Sequence, residues 1–223
     1  MKKIFLAAAL ALFTAFSVGC VEKDLPDSSI SSQQSSPSIL QQRNRENPDI
    51  IGWLTIEGCE INNPLFHGED NEEYLRVDEN GNGNIWGCYF LDYINSTDGK
   101  KLNDQVNIIY GHSKGDDPEE KKFSKLKRYK DRDFAARHQN ISLELLEGMT
   151  TWQIFAATDI PVSIDYIDPA PDREKLGRTL EYMLDNSYVD FEVDVSTEDQ
   201  ILILSTCTSD EDVRFIIAAK LVK

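Results

Sequence analysis

Cys207, Arg214 and His112 are the side chains of this chain whose types and spacing could carry acyl-transfer chemistry. Cys207 closes an apolar run, Ile201-Leu202-Ile203-Leu204-Ser205-Thr206-Cys207, and Arg214 heads the next one, Phe215-Ile216-Ile217-Ala218-Ala219. Alternate residues of a strand share a face and successive strands commonly pair, so thiol and guanidinium would be held at adjoining strand ends. Upstream, Asn107-Ile108-Ile109-Tyr110-Gly111-His112 places a His where an apolar strand gives way to a Gly. Together they offer a nucleophile, a proton carrier and a fixed cation, the minimum set for acyl transfer through a thioester. Singly, each has a plainer reading: a small buried hydrophobe, a turn residue, a solvated charge. The order and spacing of all three point to chemistry.

The same segments resemble the sortases, cysteine transpeptidases that join proteins to the Gram-positive cell wall, and among them class B. Leu202-Ile203-Leu204-Ser205-Thr206-Cys207 is similar to the family's Thr-Leu-Ser-Thr-Cys strand, Arg214 to its Arg on the following strand, and Tyr110-Gly111-His112 to its Tyr-Gly-His. Asn47 to Leu54 resembles the entry into the first strand, and Gly87-Cys88-Tyr89-Phe90-Leu91-Asp92-Tyr93 a strand typical of class B. Phe123 to Leu126 and Tyr129 to His138 resemble the helical segment after the His. Ser113-Lys114 and Ile203 depart from the usual residues without removing a reacting group.

The resemblance implies that Cys207 attacks the carbonyl of the Thr in a sorting-signal peptide, that Arg214 stabilises the oxyanion and that His112 moves the protons. It also implies Ser205, Thr206, Tyr166, Ile167 and Asn95 as substrate-binding residues. Peptidoglycan or its precursor would supply the acceptor amine. An endopeptidase that hydrolyses the same thioester, and a surface lipoprotein that binds peptide without chemistry, remain open alternatives. His67, in a polar turn, and His138, near a helix end, have weaker claims than His112.

To place these groups the chain needs a sheet with adjoining strand ends. Eight β-branched or aromatic runs, Ile51–Ile56, Cys59–Leu65, Ile85–Leu91, Val106–Tyr110, Ile141–Leu146, Trp152–Thr158, Ile201–Thr206 and Arg214–Leu221, predict an all-β fold. The resemblance makes it a closed eight-stranded barrel with peripheral helices. A helix is expected from about Pro37 or Ser38 to just before Pro48. Short ones follow over 71–75, 123–129 and 131–138. A longer one over 172–186, burying Leu176, Leu180, Met183 and Leu184, falls in the excursion before the Cys strand. By resemblance that excursion walls the peptide groove.

Met1-Lys2-Lys3 followed by an uncharged stretch from Ile4 to Val18 reads as a secretory leader, or as an anchor near the lower length limit for a span. Ser17-Val18-Gly19-Cys20 also fits a lipoprotein cleavage box. Residues 1–20 are thus a leader or membrane or lipid anchor, 21–37 a polar tether and 38–223 the catalytic domain, facing the outside of the cell membrane. A net charge of −16 disfavours nucleic acid, whose phosphates need clustered Lys and Arg. Four Cys are too few for a disulfide framework, Cys59 and Cys88 read as buried thiols, and no Cys-x-x-Cys or His cluster supports a metal. No cofactor is expected.

Overall fold

The computed structural model describes residues 38–222. The proposed leader, Cys20 and the whole of the proposed tether lie outside the described residues. Helix α1 (Ile39–Glu46) starts at a capping box in which the Ser38 side chain accepts from the Gln41 N–H and Gln41 reaches back to the Ser38 N–H. It stops at Asn47, whose extended backbone is the conformation a following Pro imposes. Leu40 packs beside Ile50, Phe66 and Phe90 and fixes the helix to the barrel.

The strands are β1 (Ile50–Ile56), β2 (Ile61–Phe66), β3 (Tyr89–Leu91), β4 (Val106–Tyr110), β5 (Asn140–Leu145), β6 (Gly148–Pro161), β7 (Ile201–Cys207) and β8 (Val213–Leu221). They close into a barrel in the order β1-β2-β3-β4-β7-β8-β6-β5, antiparallel except for the β2/β3 and β4/β7 pairs. Closure removes every sheet edge.

Strands β4, β7 and β8 are buried on both faces, which explains their unbroken apolar runs. Leu202 and Leu204 of β7, Ile109 of β4, and Phe215, Ile217 and Ala219 of β8 form the inner set. Ile201 and Ile203, Val106 and Ile108, and Ile216 and Ala218 form the outer set. Helix α3 (Arg173–Asp185) covers this outer set with Leu176, Leu180 and Met183 at helical spacing, each worth about 1.5–3 kcal/mol when buried.

Boundaries differ from the sequence expectation where turn chemistry intervenes. Gly58 (φ 80°) and Glu60 (φ 53°) turn the chain, so β2 starts at Ile61 rather than Cys59. Gly87 (φ 54°) delays β3 to Tyr89 and leaves Ile85 exposed. Strand β6 runs longer than expected because β8 pairs with it through Pro161. Leu184 was expected on the buried face of α3 and is exposed; Met183 already completes that stripe, and one further residue turns about 100° away. The remaining helical segments are 3₁₀ turns over Glu73–Leu75 and Lys122–Lys130 and helix α2 (Arg132–Arg137).

Candidate active site

Register brings the three groups together. Cys207 is paired with Arg214 at the last rung of the β7/β8 ladder, and Tyr110 with Ser205 at the last rung of β4/β7. His112 therefore follows Tyr110 by the same two residues that Cys207 follows Ser205. Paired residues lie on one face of a sheet, so thiol and guanidinium share the outer face, above the part that α3 covers. Asn71, Leu75, Phe90, His112, Cys207 and Arg214 are among the residues lining a cavity of about 280 Å³ there, with Ser205 and Thr206 in its floor.

Gly111 is required immediately before His112. A Cβ there would lie 2.6 Å from Phe123 and 2.8 Å from Tyr89, so the bare backbone lets the Phe123 ring pack against it. The Phe123 N–H then donates to the His112 carbonyl at 2.9 Å. His112 Nε2 lies 2.9 Å from the Leu75 carbonyl oxygen. A carbonyl only accepts, which assigns the proton to Nε2 and leaves Nδ1 to exchange protons. Thr206 Oγ1 donates to the Gly111 carbonyl at 2.6 Å and joins the His and Cys segments below the cavity.

Arg214 Nη1 donates to the carbonyls of Glu211 and Val213 at 2.8 and 3.0 Å, which fixes one edge of the fork. Among the described residues its other nitrogens have no protein partner, and they can meet an oxyanion. Cys207 is exposed, whereas Cys59 and Cys88 are buried. Burial pushes both of those thiols up to about 12, so they stay protonated and unreactive at neutral pH.

Tyr166 sits on the outer face with its hydroxyl 2.9 Å from Ser205 Oγ, and burial raises its pKa. It reaches the site through Ser205 and does not line the cavity. Ile167 packs on the outer apolar set beside Tyr166. Helix α3 packs on the outer apolar set of the same face and contributes no residue to the lining of this cavity. Asn95 is also placed elsewhere. It is buried near the start of β4, where its amide donates to Asp104 and to the Val106 carbonyl and accepts from the Ile108 N–H, and it does not line the cavity.

Sequence reasoning missed Asn71 and Leu75. Leu75 acts through its carbonyl, which any residue would supply, and Asn71 is held by the Tyr93 N–H across 22 residues.

No protein-family model matches the chain. Sortase B of Listeria monocytogenes is 32% identical over 189 residues, 82% of this chain and 74% of that protein. The chain belongs to the class B sortases. Sortase B of Staphylococcus aureus is 29% identical over 181 residues, 79% of this chain and 72% of its own length. The solved S. aureus sortase B–substrate complex superposes with a TM-score of 0.74 at 26% identity, covering 82% of this chain and 84% of that one. Sortase B of Bacillus anthracis in complex with AAEK1 gives 0.71 at 27% identity over 82% and 84%. This sortase is a cysteine transpeptidase with the eight-stranded barrel of its relatives.

Proposed function

We propose that this sortase cleaves a sorting signal after Thr in secreted proteins and transfers them to a cell-wall amine, with Cys207, His112 and Arg214 as its catalytic groups. The observation that carries the reading is the Cys207–Arg214 rung opening into the same cavity as His112. The Cys207 thiolate forms the S–C bond to the Thr carbonyl and its π pair moves onto oxygen, where the Arg214 fork donates to the oxyanion. Collapse expels the amine, which takes its proton from His112, and leaves the thioester. The acceptor amine then attacks, gives a proton to His112, and thiolate departs as the new amide forms. Ser205 and Thr206 line the floor under the bound peptide, and Tyr166 orients Ser205.

That the S. aureus relative is solved as a sortase B–substrate complex supports the binding of a substrate here. Peptidoglycan or its precursor would be the acceptor. Sortases are cell-surface enzymes. No helix among the described residues is long and apolar enough to cross a membrane, so attachment would rest with residues 1–20 and the tether with 21–37. Mass spectrometry of the purified protein with a small set of sorting peptides and amines tests the whole scheme: it expects a cleaved peptide joined to an amine through Thr. Hydrolysis alone, unaffected by added amine, would establish an endopeptidase instead.

A further inference from the structure

We infer that Lys127 is a positioning residue that sets the spacing between the Cys207 thiol and the His112 imidazole. The inference rests on Cys207 as the nucleophile. Strands β4 and β7 stop pairing at Tyr110–Ser205, two residues short of both groups, so ladder bonds do not hold them at their working distance. Lys127 supplies a link beyond the ladder. Its Nζ donates to the Cys207 carbonyl at 3.1 Å, to Ser113 Oγ at 2.8 Å and to the Gly115 carbonyl, and it pairs with Asp116 at 3.1 Å. One ammonium thus ties the residue carrying the thiol to the loop that leaves His112. Asp116 extends the tie by accepting from Ser209 Oγ at 2.5 Å, across the loop that leads to Arg214.

The Lys127 side chain is only 2% exposed. Burying an ammonium is unfavourable unless its donors are used, and here its three N–H bonds meet four acceptors, all on the two segments that flank the reacting groups. A side chain needed only for packing would be better apolar. Its neighbours in the same 3₁₀ helix behave differently: Lys130 is exposed and pairs with Asp159 and Tyr188, away from the cavity.

Lys127→Met keeps volume and removes the tie. The expected result is a fall in kcat of about 10- to 100-fold with little change in KM, because small misplacements of reacting groups cost rate rather than binding. Iodoacetamide alkylation of Cys207, read without peptide, should change in parallel. Asp116→Asn keeps the Lys127 side chain and costs some stability but not the fold, and should lower kcat by less; if Lys127→Met gives no cooperative melt, this variant, checked for a cooperative melt of its own, decides. Wild-type kcat in Lys127→Met, or in Asp116→Asn where Lys127→Met does not fold, overturns the inference, as does an equal kcat loss in Lys130→Met. Cys207→Ala is measured alongside. An active Cys207→Ala removes the nucleophile assignment and this inference with it, whereas an inactive one beside a wild-type Lys127→Met removes Lys127 alone.

Discussion

Cys207 and Arg214 face each other across the final rung of the β7/β8 ladder, so strand register sets the thiol beside the guanidinium. The loop between them is internally tied. The Asp210 N–H donates to Thr208 Oγ1 at 3.1 Å, the Asp212 N–H to Asp210 Oδ1 at 2.9 Å, and the Val213 N–H to the Asp210 carbonyl at 3.2 Å. A slip of one residue in β8 would turn Arg214 to the inner face. The pairing is therefore as much a property of the loop as of the strands.

Cys207→Ala is expected to abolish cleavage and thioester capture with a near-wild-type melting temperature, since Cys207 is exposed and its removal opens no cavity. Cys59→Ala and Cys88→Ala should retain most activity and lose stability instead, because both thiols are buried and each donates to a backbone carbonyl, of Lys125 and Val77. Peptide cleavage assays with thermal melts on the three variants separate these outcomes. Cleavage surviving in Cys207→Ala would refute the nucleophile.

His112→Ala should lower turnover by about 100- to 10,000-fold, the range of a lost general acid–base group. His138 packs on Phe134 at 4.5 Å between ring centres and against Gly58, and its loss should lower the melting temperature with little effect on kcat. His67→Ala should spare kcat as well. A loss of kcat in His138→Ala equal to that in His112→Ala, at unchanged stability, would shift the proton-transfer role.

How far the site was legible depended on the range of the interactions that make it. Cys207, Arg214 and His112 could be picked out as candidates that share a cavity because long apolar runs mark the strands and each stands at or just beyond a run's end. Lys127 could not. It lies in Lys122-Phe123-Ser124-Lys125-Leu126-Lys127-Arg128-Tyr129-Lys130, where it looks like any solvated cation, and its partners are distant in sequence, at Ser113 to Asp116 and at Cys207, 80 residues away. Asn95 shows the converse: a polar side chain in a loop looks free, yet the Asp104 carboxylate and the β4 backbone take up its donors and acceptor. The barrel order was likewise beyond periodicity, since alternation marks a strand's faces but not its neighbours.

Asp116→Asn should destabilise the protein near neutral pH and progressively less in acid. The Ser209 hydroxyl, with lesser help from Lys127, holds the Asp116 carboxyl below its ordinary value. A depressed carboxylate contributes stability above its unfolded pKa of about 3.9 and loses it as pH falls through the folded value. The melting-temperature gap between wild type and variant should thus be constant from about pH 6 to 8 and close as pH falls through the folded value. A gap that persists at low pH would mean that the carboxylate charge is not what Asp116 contributes.

Tyr166→Phe removes the hydroxyl that meets Ser205 Oγ and leaves the ring in the outer apolar set. The net loss should be about 1 kcal/mol of stability by urea denaturation. If Tyr166 orients Ser205 toward the peptide, KM rises while kcat holds, because the contact is present equally in ground and transition states. Unchanged KM would confine Tyr166 to packing.

Arg214→Lys tests what the fork does. Nη1 is committed to the Glu211 and Val213 carbonyls, which fixes one edge of the guanidinium, and Arg214 lines the cavity with the rest of its donors unpaired among the described residues. A Lys ammonium can replace the charge but not the planar array, and tied to the same carbonyls it has no second edge to present. Oxyanion stabilisation acts mainly in the transition state, so the expected signature is a fall in kcat of about 100- to 1,000-fold with KM nearly unchanged. A role confined to gripping the bound peptide would raise KM and spare kcat. Steady-state kinetics on the best sorting peptide decide between them, and wild-type kinetics in Arg214→Lys would take the guanidinium out of the chemistry despite its place opposite the thiol.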